Sequence, residues 1–112
     1  MKAGEQAERV AAGYLQRKGL ALIASNYRCR WGEIDLVMRD RDTVVFAEVR
    51  LRHSNRFGGA AQSVDRRKQG RIIAAARYYL SGRDEAPCRF DVVLLDRLDP
   101  PRIEWIRDAF SA

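Results

Sequence analysis

Four ionisable side chains near the middle of the chain have types and spacing suited to metal-assisted phosphate chemistry: Glu33, Asp35, Glu48 and Arg50. They lie in W-G-E-I-D-L-V-M-R-D-R-D-T-V-V-F-A-E-V-R-L-R, residues 31–52. Two β-forming runs there flank Arg39-Asp40-Arg41-Asp42, a polar break short enough for a hairpin. Side chains alternate between the faces of a strand. Glu33 and Asp35 therefore share one face, about 6 to 7 Å apart by strand rise, and Ile34, Leu36 and Met38 take the other. On the second strand Glu48, Arg50 and Arg52 share a face with Val44 and Phe46, opposed by Val45, Ala47, Val49 and Leu51. An unpaired buried carboxylate is expensive. A bound metal is one remedy here, and a salt bridge to Arg50 is another.

If the hairpin pairs in register, Glu48 faces Asp35 across the sheet. Oxygen donors from two adjacent strands suit a hard cation, Mg²⁺ or Mn²⁺, that keeps waters and leaves room for a substrate phosphate. Such an ion acidifies water and neutralises charge at phosphorus. Without one, clustered carboxylates raise each other's pKa. Arg50 could hold a phosphate through two hydrogen bonds. Salt-bridged strands produce the same Asp-x(12)-Glu-x-Arg spacing, so the residues alone leave a purely structural ion pair open.

The elements that must position these groups follow from periodicity. Residues 4 to 18 read as a helix, with Ala7, Val10, Ala11, Tyr14 and Lys18 on one stripe, Glu8 beside it and Gly19 as the stop. Residues 20–30 read as a strand kinked at Ser25-Asn26, and Gly32 allows a turn or a close backbone approach. His53 to Ala61 is a loop containing Gly58-Gly59 and the only histidine. Ser63 is the expected N-cap of a second helix, with Asp65 in its first turn, running to about Leu80. Its apolar row is Val64, Ile72, Ala76 and Leu80, with Lys68 in the same row, free to snorkel outward or to point at the carboxylates. Arg89 to Leu95 reads as an interior strand covered on both faces. Asp99-Pro100-Pro101 is a turn, Arg102 to Ile106 a last strand, and Asp108-Ala109-Phe110 a short terminal helix or cap. The order α-β-β-β-α-β-β is an α/β mixed sheet with helices packed against it.

With 112 residues the chain reads as one domain, 1–112, able to bury roughly two-thirds of its unfolded surface. No apolar run approaches the ~20 residues of a membrane span, and the first residues lack a secretory h-region, so a cytoplasmic protein is expected. Cys29 and Cys88 are too few for a four-ligand zinc site and read as reduced thiols. The net charge of +6 points to polyanionic partners. Seven basic residues against one acid lie between Arg50 and Arg71, whereas seven acids against four arginines lie between Asp84 and Asp108. One positive face is the implication. Arginine outnumbers lysine 18 to 3, a bias that dilutes the meaning of any single arginine.

Several stretches closely resemble the YraN-like family. They are Glu8-x-x-Ala11-x-x-Tyr14-Leu15, Asn26-Tyr27-Arg28, G-E-I-D-L at 32–36 and F-A-E-V-R-L-R at 46–52. F-G-G-A at 57–60, Lys68-Gln69, R-F-D-V-V at 89–93 and Asp108-Ala109-Phe110 complete the set, in order over essentially the whole chain. That family is largely uncharacterised and is assigned to the restriction-endonuclease-like, or PD-(D/E)XK, superfamily, with archaeal Holliday-junction resolvases as its nearest described relatives. The resemblance implies an αβββαβ core and a Mg²⁺- or Mn²⁺-dependent endonuclease acting on DNA, branched or otherwise structured DNA included. It makes Asp35 and Glu48 the metal ligands and Glu8 the helical glutamate of the resolvase-like branch. Arg50 stands where the superfamily normally has lysine. Lysine can lose its proton and help activate water, whereas arginine stays charged and can only orient or stabilise. The resemblance also favours Lys68 pointing into the site. Arg28, Arg30, Arg52, Arg56, Arg66, Arg67, Lys68 and Gln69 are the expected nucleic-acid contacts, and a homodimer is compatible with resolvase-like relatives. The rival expectations are a catalytically inactive nucleic-acid-binding module and a protein-interaction module on the same fold.

Overall fold

A computed structural model describes residues 3–51, 64–98 and 100–112. The elements are α1 (Ala3–Arg17), β1 (Ala21–Cys29), β2 (Gly32–Asp40), β3 (Thr43–Leu51), α2 (Arg66–Leu80), β4 (Cys88–Leu98) and β5 (Pro101–Phe110). The five strands form one sheet in chain order. Neighbours are antiparallel except β3 and β4, which run parallel from Val44↔Cys88 to Leu51↔Leu95. A parallel neighbour needs a crossover, and α2 lies within this one. The result is the mixed α/β sheet flanked by two helices that the sequence implies, consistent with the restriction-endonuclease-like core.

The sheet separates two apolar layers. Under α1 lie Ala7, Ala11, Leu15, Leu36, Met38, Val45, Ala47, Val93 and Leu95. Under α2 lie Ile34, Val37, Phe46, Ile72, Ala76, Tyr79, Phe90, Val92 and Leu94. β4 thus contributes to both layers, as its continuous apolar run requires. The stripe of α1 is rotated from the expected one: Leu15 is fully buried, while Lys18 is exposed, its Nζ 5.4 Å from the Tyr14 ring centroid. Gly19 ends α1 with φ +101°. Leu20 N–H donates to Leu15 C=O and Gly19 N–H to Gln16 C=O, a Schellman closure whose apolar pair, Leu15 and Leu20, belongs to the core.

Two expectations are corrected. Ser63 lies outside the described residues, and Asp65, rather than standing in the first turn, is itself the N-cap of α2, its carboxylate accepting from Lys68 N–H at 2.8 Å. The chain at Asp108-Ala109-Phe110 forms no helix or cap. It continues β5. The cause is Asp91, fully buried on β4. Its carboxylate accepts from Arg89 Nε at 3.1 Å, Trp105 Nε1 at 3.0 Å and the backbone N–H of Asp108 at 2.9 Å. Asp108 adopts φ +53° to present that N–H, the β4–β5 register shifts between Phe90 and Val92, and Phe110 returns to stack on Phe90.

Asp91→Ala removes the buried acceptor for three donors and leaves Arg89 with less compensation. We expect it to destabilise the fold by about 3–5 kcal/mol, read as a lower urea midpoint with an unchanged m-value.

Candidate active site at the β2–β3 fork

Pairing between β2 and β3 runs from Asp40↔Thr43 to Leu36↔Ala47 and stops. Asp35 and Glu48 are the next residues outward, so the sheet opens where both carboxylates stand. β2 stays with β1 through Tyr27↔Ile34, Arg28↔Glu33 and Cys29↔Gly32, while β3 stays with β4 through Leu51. Asp35 bridges the opening: its Oδ2 accepts from Val49 N–H at 2.9 Å.

The simple alternation expected for β2 is corrected here. Ile34 packs in the α2 layer, whereas Leu36 and Met38 pack in the α1 layer. On β1, Tyr27 packs toward α2, as Ile34 does, while Ser25, paired with Leu36, lines an α1-side cleft. Between them stands Asn26 at φ +54°, a left-handed conformation that Asn tolerates better than most residues. Both strands change facing at this level, and Asp35 lies at the transition. On β3 the expected alternation holds, with Phe46 toward α2 and Val45, Ala47 and Val49 toward α1.

The carboxyls of Glu8, Asp35 and Glu48 form a row, each within hydrogen-bonding reach of the next. α1 brings Glu8 over the sheet edge, and the Asn26 side chain bonds it. Burial, then the charge and hydrogen bond of Asp35, raise the Glu8 pKa, while Asn26 pulls the other way. Glu48 is only 4% exposed. Burial and then Asp35 push its pKa up to about 8, against the opposing pull of Lys68 and Arg50. Arg50 Nε lies 3.1 Å from Glu48 Oε2. That nitrogen is buried and makes no hydrogen bond, so the contact is an ion pair without N–H alignment. Lys68, on the first turn of α2 and fixed there through the Asp65 cap, places Nζ 3.9 Å from the same oxygen.

Other expected site residues distribute as follows. Glu33 stays outside the carboxyl row and pairs with Arg28 at 3.4 Å on the exposed strand end. Arg28, Arg30 and Lys68 line one cleft between the β1–β2 hairpin and α2. Arg66 and Arg67 are exposed at the start of α2. Gln69 is tied down: its Nε2 donates to Val64 C=O at 2.8 Å. Arg52, Arg56, His53 and the Gly58-Gly59 loop lie outside the described residues. Sequence reasoning missed Asn26 and Arg71 as site components. The Asn26 kink was the available signal for one, and Gly32 for the other, because a Cβ at Gly32 would stand 3.0 Å from the Arg71 carbonyl oxygen.

Among the described residues, no three His, Cys, Asp or Glu side chains form a ready-made metal cluster. Asp35 and Glu48 nevertheless fit a hard cation. Both offer oxygen, and Glu48 carries a burial and repulsion burden that a divalent charge would relieve.

The fold and site together define an α/β protein with a restriction-endonuclease-like core and a carboxylate-lined fork in its sheet. Residues 7–95 match the uncharacterised protein family UPF0102. The chain belongs to that family, the YraN-like one. It is 56% identical over 109 residues to a UPF0102 protein of Nitrosomonas europaea, covering 96% of this chain and 92% of that one. A UPF0102 protein of Methylobacillus flagellatus is 52% identical over 97% of this chain and 96% of its own. One from Pseudomonas aeruginosa is 50% identical over 97% and 92%.

The raised Glu48 pKa has a stability consequence. Between the ordinary carboxylate value of 4.5 and about 8, the folded chain holds a proton that the unfolded chain has released. Stability in metal-free buffer therefore falls as pH rises through that window. Thermal melts should show the decline in the wild type, and Glu48→Gln should flatten it.

Proposed function

We propose that this protein is a Mg²⁺- or Mn²⁺-dependent nuclease acting on DNA, including branched or otherwise structured DNA. The observation that carries the proposal is the fork, where Asp35 and Glu48 project from diverging strands with two cations, Arg50 and Lys68, directed at Glu48. Asp35 and Glu48 would hold the ion, which supplies charge neutralisation at phosphorus and acidifies water when bound.

The chain's own groups divide the remaining work. Arg50 keeps its charge and can only orient a phosphate oxygen or stabilise developing charge. Lys68 brings a second cation to the fork, its Nζ 3.9 Å from Glu48 Oε2, where it can stabilise developing charge beside Arg50. Glu8 supports Asp35 through their shared hydrogen bond, its own pKa raised by burial and by Asp35. Three consecutive cations, Arg66, Arg67 and Lys68, occupy the first turn of α2, with the Asp65 N-cap as the one acid beside them. Cations are unfavourable at a helix N-terminus, and an approaching phosphate backbone offsets that cost.

A non-catalytic DNA-binding module is the second reading, favoured by one observation: Arg50 stands in the lysine position and pairs with Glu48.

Cleavage of linear, flap and four-way-junction DNA in Mn²⁺ separates the two. We expect wild-type cleavage and a loss of at least about 10²-fold in Asp35→Ala and Glu48→Ala, the scale of removing one charge-stabilising group. Cleavage that survives both substitutions would remove the fork from the chemistry. Binding without metal should weaken steeply with salt, by about 0.9 log units per log unit of salt for each phosphate neutralised. A flat response is incompatible with either DNA reading.

A further inference from the structure

Beside the fork, the tip of the β1–β2 hairpin faces α2 across a cleft of about 330 Å³. Its walls carry Arg28, Arg30, Lys68 and Arg71, one carboxylate, Glu33, and the indole of Trp31. Trp31 is 49% exposed, an unusual place for the largest apolar side chain. Arg30 braces the indole, its guanidinium carbon 4.7 Å from the ring centroid. The cleft is a built feature. Gly32 lets the hairpin close against the Arg71 backbone, where any Cβ would come within 3.0 Å of the carbonyl oxygen. Lys68 and Arg71 are three residues apart on α2, so they share a face of that helix.

We infer that this cleft is a subsite for one unpaired nucleotide of a DNA strand, with its base against Trp31 and its phosphate between Arg71 and Lys68. The inference rests on the reading of the fork as a DNA-handling site. An exposed aromatic ring beside several cations is the combination that holds single strands, because every base has a π-face and every nucleotide a phosphate. The volume is at the low end of clefts that take small ligands, suited to one nucleotide rather than to a duplex groove. Glu33 reduces the positive charge but pairs with Arg28 on the exposed strand end, leaving Arg71 and Lys68 to the phosphate. Lys68 belongs to both places, since its Nζ is 3.9 Å from Glu48 Oε2. A strand anchored on Trp31 therefore leads its neighbouring phosphate to the carboxylates. This arrangement selects DNA with an unpaired nucleotide beside the bond at the fork.

The test is fluorescence anisotropy in EDTA and low salt, with a labelled oligothymidylate and a labelled blunt duplex. Each is titrated with wild type, Trp31→Ala and Trp31→Phe, with folding checked by circular dichroism. We expect Trp31→Ala to weaken single-strand binding by about tenfold or more, Trp31→Phe to retain most of it, and duplex binding to be unchanged in both. Unchanged single-strand affinity in Trp31→Ala, or equal losses for both DNAs, overturns the subsite while leaving the nuclease reading intact. If the wild type binds neither DNA, the DNA reading and the subsite fall together. Thymidine monophosphate quenching Trp31 fluorescence as tightly as the oligonucleotide would assign the cleft to a free nucleotide and overturn the strand subsite.

Discussion

The site depends on β2 leaving β3 after the Leu36↔Ala47 pair while β3 continues alongside β4. A fully zipped hairpin would place Asp35 and Glu48 in an ordinary cross-strand pair, where like charges directly opposite are destabilising. Separation of the strands instead leaves Val49 N–H without a backbone acceptor on β2, and Asp35 supplies it. That single bond holds the acid at the mouth of the fork. The left-handed Asn26 on β1 accompanies the departure, and its side chain also reaches Glu8. One residue thus serves both the shape of the sheet and the electrostatics of the site.

Charge sets the fork apart from a simple break in pairing. Three carboxyls in a row cannot all be ionised cheaply in a partly buried site. The two nearby cations ease this only in part, since Glu48 keeps a pKa near 8 despite them. The chain tolerates a local arrangement that costs stability, as functional sites commonly do. Buried Asp91 makes the contrast. Its carboxylate is satisfied by three donors.

Much of this was legible in the sequence, for identifiable reasons. β3 keeps strict alternation, so Glu48 and Arg50 could be placed with Phe46 from residue order. The element order announced a mixed sheet, and the family resemblance brought Lys68 to the carboxylates, where the structure also has it. Residue order failed where a single backbone angle resets periodicity. Asn26 at φ +54° separates Ile34 from Leu36 into different layers. Asp108 at φ +53° keeps β5 going to Phe110, where a terminal cap was expected. Neither angle is encoded in hydrophobic spacing. Asp65 took the capping role expected of Ser63 because the helix begins two residues later, a shift within the usual uncertainty of helix ends. Trp31 and Arg71 escaped notice because they meet only when the hairpin folds against α2 over Gly32.

The central claim of the proposal is that Glu48 is held protonated by its burial and by Asp35 beside it, and gives up that proton to a divalent cation. Calorimetric titration with Mn²⁺ at pH 7, in two buffers of different ionisation enthalpy, measures this directly. Because the Glu48 pKa lies near 8, the account predicts one saturable site, the release of close to one proton per ion bound, and loss of both in Glu48→Gln. Absence of binding, or binding without proton release that persists in Glu48→Gln, would contradict it.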